Sequence, residues 1–462
     1  MSNAKNPFNP SGICGRVPRD VNEDLAWRVG HAVAQFLRTR LSGYERGQAS
    51  TNRIVLGWDV RPHSVTLAEA VIEGISASGA GCVELGLCDL PRLEFTVDRL
   101  ASAGGIYISA GDRPAEFNGF RLVGLKARAV GRESGLAEVE RIVGSIQRMP
   151  KTASMVAKQD VDLRAEYIAH VRKQLAVSGA MSIVVDASNG AAGEIIPEVL
   201  AHENLSVEVL NAGFEGQFAH RPDPTHPEGY ATVARRVVEA GADLGVALDS
   251  AGDRCRFVDE NGKPVRADLV AALVCPPLLA RFPGSMVVHD LRCSAALAEE
   301  VRQAGGVPRR ERPGWPNINK TMMEGHALFG VELDGRFYFR EQMHNPSPLA
   351  ATCALLSVLS GSEGSFSERI APLNRYSTSG QISFPGDGAA AKLDALGEQF
   401  ADAAKISRVA GLTVTLEDSW FHARPVADGQ SIELTVEAPT PADVEGRINQ
   451  LKSVLGEPLR EI

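Results

Sequence analysis

Short apolar runs of strand length alternate along the chain with segments whose apolar residues recur at helical spacing. Residues 53–57 and 82–86 each predict a buried strand, and residues 66–77 between them predict an amphipathic helix. The same order of strand and helix recurs roughly every 100 residues. This alternation predicts βαβ units whose sheets are mostly parallel.

The repeat predicts three similar α/β domains followed by a domain of another kind. A long helix at 163–177 opens the second domain, and a strand at 256–258 opens the third. From about residue 367, strand patterns flank two helical segments, which favours an α+β domain with an antiparallel sheet. The predicted domains are 1–150, 151–255, 256–366 and 367–462.

Composition narrows the function classes without choosing one. The chain has 462 residues, 44% of them hydrophobic, and a net charge of -9, which argues against nucleic acid as its main partner. The first residues lack a signal-peptide pattern, and no apolar run approaches the roughly 20 residues that span a bilayer. The seven cysteines form no CxxC pair, which favours free thiols in a reducing cytoplasm.

The leading candidate site is the stretch 104–120. Its apolar residues 106–108 predict a buried strand, and small, charged and proline residues follow. Ligands of α/β proteins bind at loops that leave the carboxyl ends of strands. The stretch 249–254 has the same position, because it follows the apolar strand predicted at 243–248.

Several stretches, in the same order, resemble the α-D-phosphohexomutases, the phosphomannomutase and phosphoglucomutase enzymes. The stretch 104–120 is similar to that family's catalytic loop, Gly-Gly-(apolar)₃-Thr-Ala-Ser-His-Asn-Pro followed by Asn-Gly-(Phe/Tyr)-Lys. The further similar stretches are 184–193, 221–228, 241–247 and 327–339. The resemblance covers nearly the whole chain. It implies a heart-shaped four-domain architecture and phosphoryl transfer between an enzyme serine and a sugar phosphate, with Mg²⁺.

The catalytic loop departs from the family at its reactive residue. Gly111 stands where the family has its serine, so no phosphoserine can form there. Ser109, two residues earlier, is the nearest hydroxyl, and Asp112 could form an aspartyl phosphate. The alternative interpretation is that Ser109 is an ordinary strand-end residue and Asp112 a solvated loop charge.

The metal loop departs as well. The family's Asp-x-Asp-x-Asp-Arg becomes residues 249–254, in which Asp249 and Asp253 keep two carboxylates and Ala251 replaces the central one. Two carboxylates with water bind Mg²⁺ weakly at best. Arg254 either orients a phosphate, as the resemblance implies, or pairs with Asp249 or Asp253.

The two ligand-holding loops, 330–336 and 424–433, are also altered. In the sugar loop, Glu332 is kept, and Asp334 introduces a charge that repels an anionic ligand unless Arg336 pairs with it. In the phosphate loop Arg424 is kept. Two hydroxyls and a later arginine of that loop have become Val426, Asp428 and Glu433.

Loss of nucleophile, metal ligand and phosphate donors together favours a pseudoenzyme of this family, because such groups act as a unit. Such a protein is expected to bind a sugar, a sugar phosphate or a protein partner. It is also expected to form oligomers, either with itself or with a related mutase. Neither nucleic acid nor membrane is expected. The alternative is an active phosphomannomutase or phosphoglucomutase of the isomerase class that uses Ser109 or Asp112.

Overall fold

The computed structural model describes residues 6–149, 159–214, 216–401, 405–426 and 429–459. Within these ranges the strands form four sheets, which follow one another along the chain. The predicted fold class, three similar mixed α/β domains followed by an α+β domain, is confirmed by their topology. The domain boundaries stay predictions, and the one at 150/151 lies outside the described residues.

The first sheet contains the strands β1 (Phe8–Asn9), β2 (Gly12–Arg16), β3 (Arg53–Trp58), β4 (Gly81–Leu87), β5 (Gly104–Ile108), β6 (Phe117–Gly124) and β7 (Gln159–Asp160). Its strand order is β1-β2-β6-β5-β3-β4-β7. The helices of this part are α1 (Glu23–Thr39), α2 (Gly43–Arg46), α3 (Ser64–Ala77), α4 (Leu90–Arg99) and α5 (Leu136–Ser145).

The second sheet contains β8 (Met181–Asp186), β9 (Leu205–Leu210), β10 (Leu244–Leu248), β11 (Cys255–Asp259) and β12 (Pro264–Val265), in the order β12-β11-β10-β8-β9. Its helices are α6 (Arg164–Val171), α7 (Ile196–Val199) and α8 (Pro227–Ala240).

The third sheet contains β13 (Met286–Asp290), β14 (Val307–Glu311), β15 (Phe329–Val331), β16 (Phe337–Phe339) and β17 (Asn345–Pro346), in the order β14-β13-β15-β16-β17. Its helices are α9 (Ala267–Arg281), α10 (Ala295–Gln303), α11 (Trp315–Glu324), α12 (Pro348–Ser360) and α13 (Phe366–Ile370).

The fourth sheet is antiparallel throughout. It contains β18 (Ser377–Pro385), β19 (Lys405–Ser407), β20 (Leu412–Thr415), β21 (Trp420–Pro425) and β22 (Ser431–Ala438), in the order β18-β22-β21-β20-β19. The helices α14 (Ala389–Gln399) and α15 (Pro441–Leu455) share its apolar core.

The first three sheets repeat one connection that positions the site. In each, a parallel strand turns back into an antiparallel neighbour: β5 into β6, β10 into β11, and β15 into β16. The candidate loops 104–120, 249–254 and 330–336 contain these three turns. The fourth candidate loop, 424–433, joins β21 to β22. The repeated topology therefore places each predicted loop at a strand end.

Two predicted elements are wrong in extent or place. The helix expected at 163–177 ends at Val171, because Ser357 and Ser360 of α12 bind the backbone N–H groups of Ala176 and Ser178. The strand expected to open the third domain is β11, which pairs with β10 in the second sheet. Each repeat ends in a hairpin, so the second one continues past residue 256.

Candidate functional site

The first three candidate loops meet at one place in the fold. The Ser250 hydroxyl donates to the carbonyl oxygen of Gly111 at 2.7 Å, which joins the second loop to the first. The backbone N–H of Cys255, the residue that follows the second loop, donates to the Gly335 carbonyl at 2.9 Å, which joins this end of the loop to the third loop. The predicted catalytic, metal and sugar positions therefore share one centre.

The centre is built around the buried carboxylate of Asp253. Its Oδ2 accepts hydrogen bonds from the guanidinium groups of Arg121, on β6, and Arg336, the latter at 2.9 Å. Burial alone would raise the pKa of Asp253, but these two cations hold it well below its ordinary value. Asp253 is therefore a permanent anion, and two guanidinium groups neutralise it.

The second carboxyl group of the metal loop, on Asp249, has a pKa that is shifted in the opposite direction. Asp249 Oδ1 accepts the backbone N–H groups of Asp253 and Arg254, at 2.9 and 3.1 Å. Burial, and then the charge of Asp253 and a hydrogen bond to it, raise the pKa of Asp249 well above its ordinary value. Within this buried pair, Asp249 is therefore the group on which a proton is favoured.

Ala251, at the third position of the metal loop, serves as a packing residue. It is fully buried in an apolar cluster that includes Cys88 and Leu90. Its carbonyl accepts the backbone N–H of Leu90 at 2.9 Å, which ties the metal loop to α4. The buried Asp89 lies between these two cluster residues in the chain, and burial raises its pKa to about 6.

These residues do not fit a magnesium ion. Mg²⁺ needs near-octahedral oxygen ligands, whereas Asp253 already binds two guanidinium groups and Ala251 has no ligand atom. Burial and the charge of Asp253 also oppose ionisation of Asp249. Among the described residues, no group of three or more His, Cys, Asp or Glu side chains is arranged to hold a metal. Positive charge at this centre comes from arginine.

Gly111 closes the catalytic loop through its backbone. Its φ of +58° lies in the left-handed region, which glycine adopts without strain. Its N–H donates to the Ser109 hydroxyl at 2.9 Å, and that hydroxyl donates to Asp59 Oδ2 at 2.6 Å. Ser109 is only 2% exposed. The nearest hydroxyl to the serine position is therefore held inside the protein.

Asp59 and Arg61 support this loop, and sequence reasoning assigned them no role. Arg61 pairs with Asp59, and both side chains are fully buried. One guanidinium nitrogen of Arg61 donates to the Gly111 carbonyl at 3.0 Å and another to Ser250 Oγ at 3.0 Å. Their signal was the sequence Gly57-Trp58-Asp59-Val60-Arg61, which keeps the acid and the base of the family's Gly-Arg-Asp-x-Arg.

Arg254 joins the loops in a way the sequence did not predict. Its side chain pairs with Asp112 of the first loop and, at 3.2 Å, with Asp334 of the third, rather than with Asp249 or Asp253. Arg336 pairs with Asp334 as well, so that charge is compensated as the sequence analysis required. Burial opposes ionisation of Asp112, yet Arg254 and Arg336 lower its pKa. Both aspartates act as ion-pair partners.

Glu332, the retained acid of the sugar loop, is occupied by internal hydrogen bonds. Tyr338 donates its hydroxyl to one carboxyl oxygen, and the backbone N–H of Gly314 donates to the other. Glu332 is 1% exposed. Burial, and then the charge of Asp334, raise the pKa of Glu332 from 4.5 to about 7.

This raised pKa predicts a pH dependence of stability. Between 4.5 and about 7 the folded chain keeps a proton on Glu332 that the unfolded chain releases, so stability falls as pH rises through this window. We expect wild type to lose about 2 kcal/mol more between pH 5 and 7 than Glu332→Gln, which cannot titrate. Urea unfolding of both proteins across this range measures the difference. Parallel stability curves would contradict the assignment.

The fourth loop is paired internally where the structure describes it. Arg424 forms an ion pair with Glu433 at 2.5 Å, so the retained phosphate-loop arginine is opposed by the residue that replaces the family's later arginine. Asp428 lies outside the described residues.

In the described part of the chain no helix is long and apolar enough to cross a bilayer.

Comparison with known proteins matches one family along nearly the whole chain. Residues 5–148, 165–262 and 267–376 match domains I, II and III of the phosphoglucomutase/phosphomannomutase family. A phosphohexose mutase of Xanthomonas campestris pv. campestris is 30% identical over 456 residues, which cover 97% of this chain and 98% of the relative.

Solved structures share the fold. A phosphoglucomutase/phosphomannomutase family protein of Burkholderia thailandensis superposes with a TM-score of 0.87 at 23% identity, covering 98% of both chains. The N-acetylphosphoglucosamine mutase of Aspergillus fumigatus, in complex with GlcNAc-6P and magnesium, has a TM-score of 0.58 at 12% identity, covering 97% of this chain and 95% of that one. With three domain matches and a full-length relative, the chain belongs to the phosphoglucomutase/phosphomannomutase family, the α-D-phosphohexomutases.

Proposed function

We propose that this chain is a phosphohexomutase homologue without mutase activity, which acts by binding a sugar-type ligand or a protein partner. The observation that carries the proposal is the pair of guanidinium groups, from Arg121 and Arg336, on the carboxylate of Asp253. Phosphoryl transfer, the reaction that the family resemblance implies, needs a cation that neutralises the charge of the transferring phosphoryl group. Here two arginine side chains of the protein bind the carboxylate that would otherwise hold this cation.

The other groups at the centre support the same proposal. Gly111 supplies no nucleophile, and the ligand-holding residues Glu332, Asp334 and Arg424 are engaged in internal hydrogen bonds or ion pairs. A substrate would have to break these contacts before it could bind. Because such groups act as a unit in catalysis, the loss of even one of them is expected to remove most of the activity.

The contacts of Ser109 and Asp112 with other described residues do not favour either side chain as a displaced nucleophile. Ser109 is buried, and its hydroxyl is bound to Asp59. Asp112 is ion-paired with Arg254, which stabilises its charge and weakens it as a nucleophile. An active mutase with either residue stays the competing prediction.

The test exposes the purified protein to glucose 1,6-bisphosphate and Mg²⁺. Intact mass measures a phosphoryl adduct, and a coupled assay measures conversion of glucose 1-phosphate or mannose 1-phosphate, with an active phosphomannomutase as positive control. We expect neither adduct nor turnover. An adduct that disappears in Ser109→Ala or in Asp112→Asn would overturn the proposal and identify the nucleophile.

Association with itself or with a related mutase remains a separate prediction. Light scattering after size exclusion, for this chain alone and mixed with an active mutase, measures it. A stable mixed species supports the partner role, whereas two independent monomers leave ligand binding as the proposed role.

A further inference from the structure

A second cleft, of about 810 Å³, lies between the third domain and the C-terminal domain. One side is formed by the edge strand β14 and by α10, and the other by β19, β20 and the turn before β21. No residue of the loops 104–120, 249–254, 330–336 or 424–433 lines it. The cleft is therefore separate from the arginine–aspartate centre.

The cleft concentrates basic side chains that lack acidic partners. Arg302, Arg309, Arg310 and Lys405 line it, and none of them forms an ion pair with another described residue. Of the carboxylates in the lining, Glu299 is taken by Arg375, and Glu311 accepts from the Thr321 hydroxyl. Glu417 and Asp418 lie exposed in the turn before β21. Four unpaired cations against two solvated carboxylates and the buried Glu437 leave an excess of positive charge in the cleft, which favours an anionic ligand.

Arg310 is the most informative of these cations. Its guanidinium lies 4.6 Å from the centre of the Trp420 ring, so the aromatic face holds it in place. Burial lowers its pKa, and no hydrogen bond from the guanidinium to another described residue is formed. A half-buried, oriented guanidinium with free donors matches the planar fork that binds phosphate oxygens.

A buried carboxylate in the same lining points to a second feature of the ligand. Glu437 is 2% exposed, and its Oε1 accepts from Trp420 Nε1 at 2.7 Å and from the Ala295 N–H at 2.8 Å. Its Oε2 has no hydrogen-bond partner among the described residues. A buried carboxylate oxygen without a donor is costly, and a ligand hydroxyl group would satisfy it.

We propose that this cleft binds a phosphate ester that carries free hydroxyl groups, a sugar phosphate, at a site distinct from the family's central one. The arginines bind the phosphate, and Glu437 accepts a hydroxyl of the sugar. The site does not depend on the proposed loss of mutase activity, because it shares no residue with the central loops.

Calorimetric titration of the full-length protein separates the two features, with glucose 1-phosphate, inorganic phosphate and glucose as probes. We expect glucose 1-phosphate to bind most tightly, inorganic phosphate weakly, and glucose not measurably. Arg310→Gln should weaken both phosphate probes by about tenfold or more. Arg302→Gln, which is exposed and therefore safe for folding, should weaken them in the same direction.

Two controls make the assignment specific. Arg141→Gln removes an exposed arginine of α5, far from the cleft in the chain, and should change nothing. Arg424→Gln, in the hairpin of the family's phosphate loop, tests whether the probes bind at the central site instead. Binding that is lost in Arg424→Gln but kept in Arg310→Gln, or absent at millimolar probe, would overturn the proposal.

Glu437→Gln tests the hydroxyl contact separately. The amide keeps an acceptor for Trp420 and Ala295 but replaces the free oxygen by a donor. We expect the preference for glucose 1-phosphate over inorganic phosphate to disappear while phosphate binding persists. An unchanged preference would overturn the role of Glu437, and loss of both probes would show that the residue is only structural.

Discussion

Replacing Asp253 by asparagine is expected to destabilise the protein by about 3–5 kcal/mol. The substitution keeps the shape of the side chain but removes the charge that Arg121 and Arg336 share. Arg121 would then be left without its counterion, and Arg336 would keep only Asp334, in a largely buried place. Desolvated unpaired charge is among the costliest defects in a fold.

The matched control is Asp249→Asn, in the same loop and four residues before Asp253. Because burial and the charge of Asp253 raise the pKa of Asp249 well above its ordinary value, its ionised form is disfavoured, and an uncharged amide reproduces its shape and hydrogen bonding. We expect a change within about 1 kcal/mol. Urea unfolding at pH 7 measures both variants. Equal effects of the two substitutions would show that the charge assignment within the pair is wrong.

Restoring the missing serine and aspartate in Gly111→Ser/Ala251→Asp is expected to yield no mutase activity and to cost about 3–5 kcal/mol of stability. At Gly111 the φ of +58° disfavours a side chain, and an added Cβ would lie 2.9 Å from a guanidinium nitrogen of Arg121. At Ala251 a carboxyl group would enter an apolar cluster, where it would be desolvated.

The single substitution Gly111→Ser tests whether the serine hydroxyl alone restores activity, apart from the backbone strain that a side chain causes at this position. It should be inactive as well, because Ala251 and the internally paired Glu332 and Arg424 are unchanged. The coupled assay with glucose 1,6-bisphosphate and Mg²⁺ measures activity, and thermal unfolding measures stability, with Gly111→Ala as the steric control. Recovery of turnover in Gly111→Ser would mean that the other changes matter far less than their contacts indicate.

The sequence predicted the fold well, because its signals are local. Strand and helix periodicity identified the repeated α/β pattern, and the loops 104–120, 249–254 and 330–336 were placed at strand ends before the sheets were known. The placement of β11 failed because a hairpin strand and an opening strand have the same periodicity. Only pairing with β10, a contact outside the local pattern, distinguishes them.

The site could be predicted only in part, for a related reason. The sequence shows that Gly111 and Ala251 lack functional atoms, since that is a property of single residues. It does not show what takes over their space. The partners of Asp253 come from β6 and the third loop, and those of Arg254 from the first and third loops. Such pairings depend on how three domains pack, which no spacing within one motif reveals.

We propose that the arginine side chains on Asp253 take the charge-neutralising role that the family resemblance assigns to Mg²⁺. The most direct test of this role is a titration of the purified protein with Mn²⁺, a paramagnetic substitute for Mg²⁺. Electron paramagnetic resonance measures the concentration of the free ion. We predict that the free Mn²⁺ signal matches that of buffer up to millimolar protein. Loss of one equivalent of free ion per chain, reversed by excess Mg²⁺, would contradict the account.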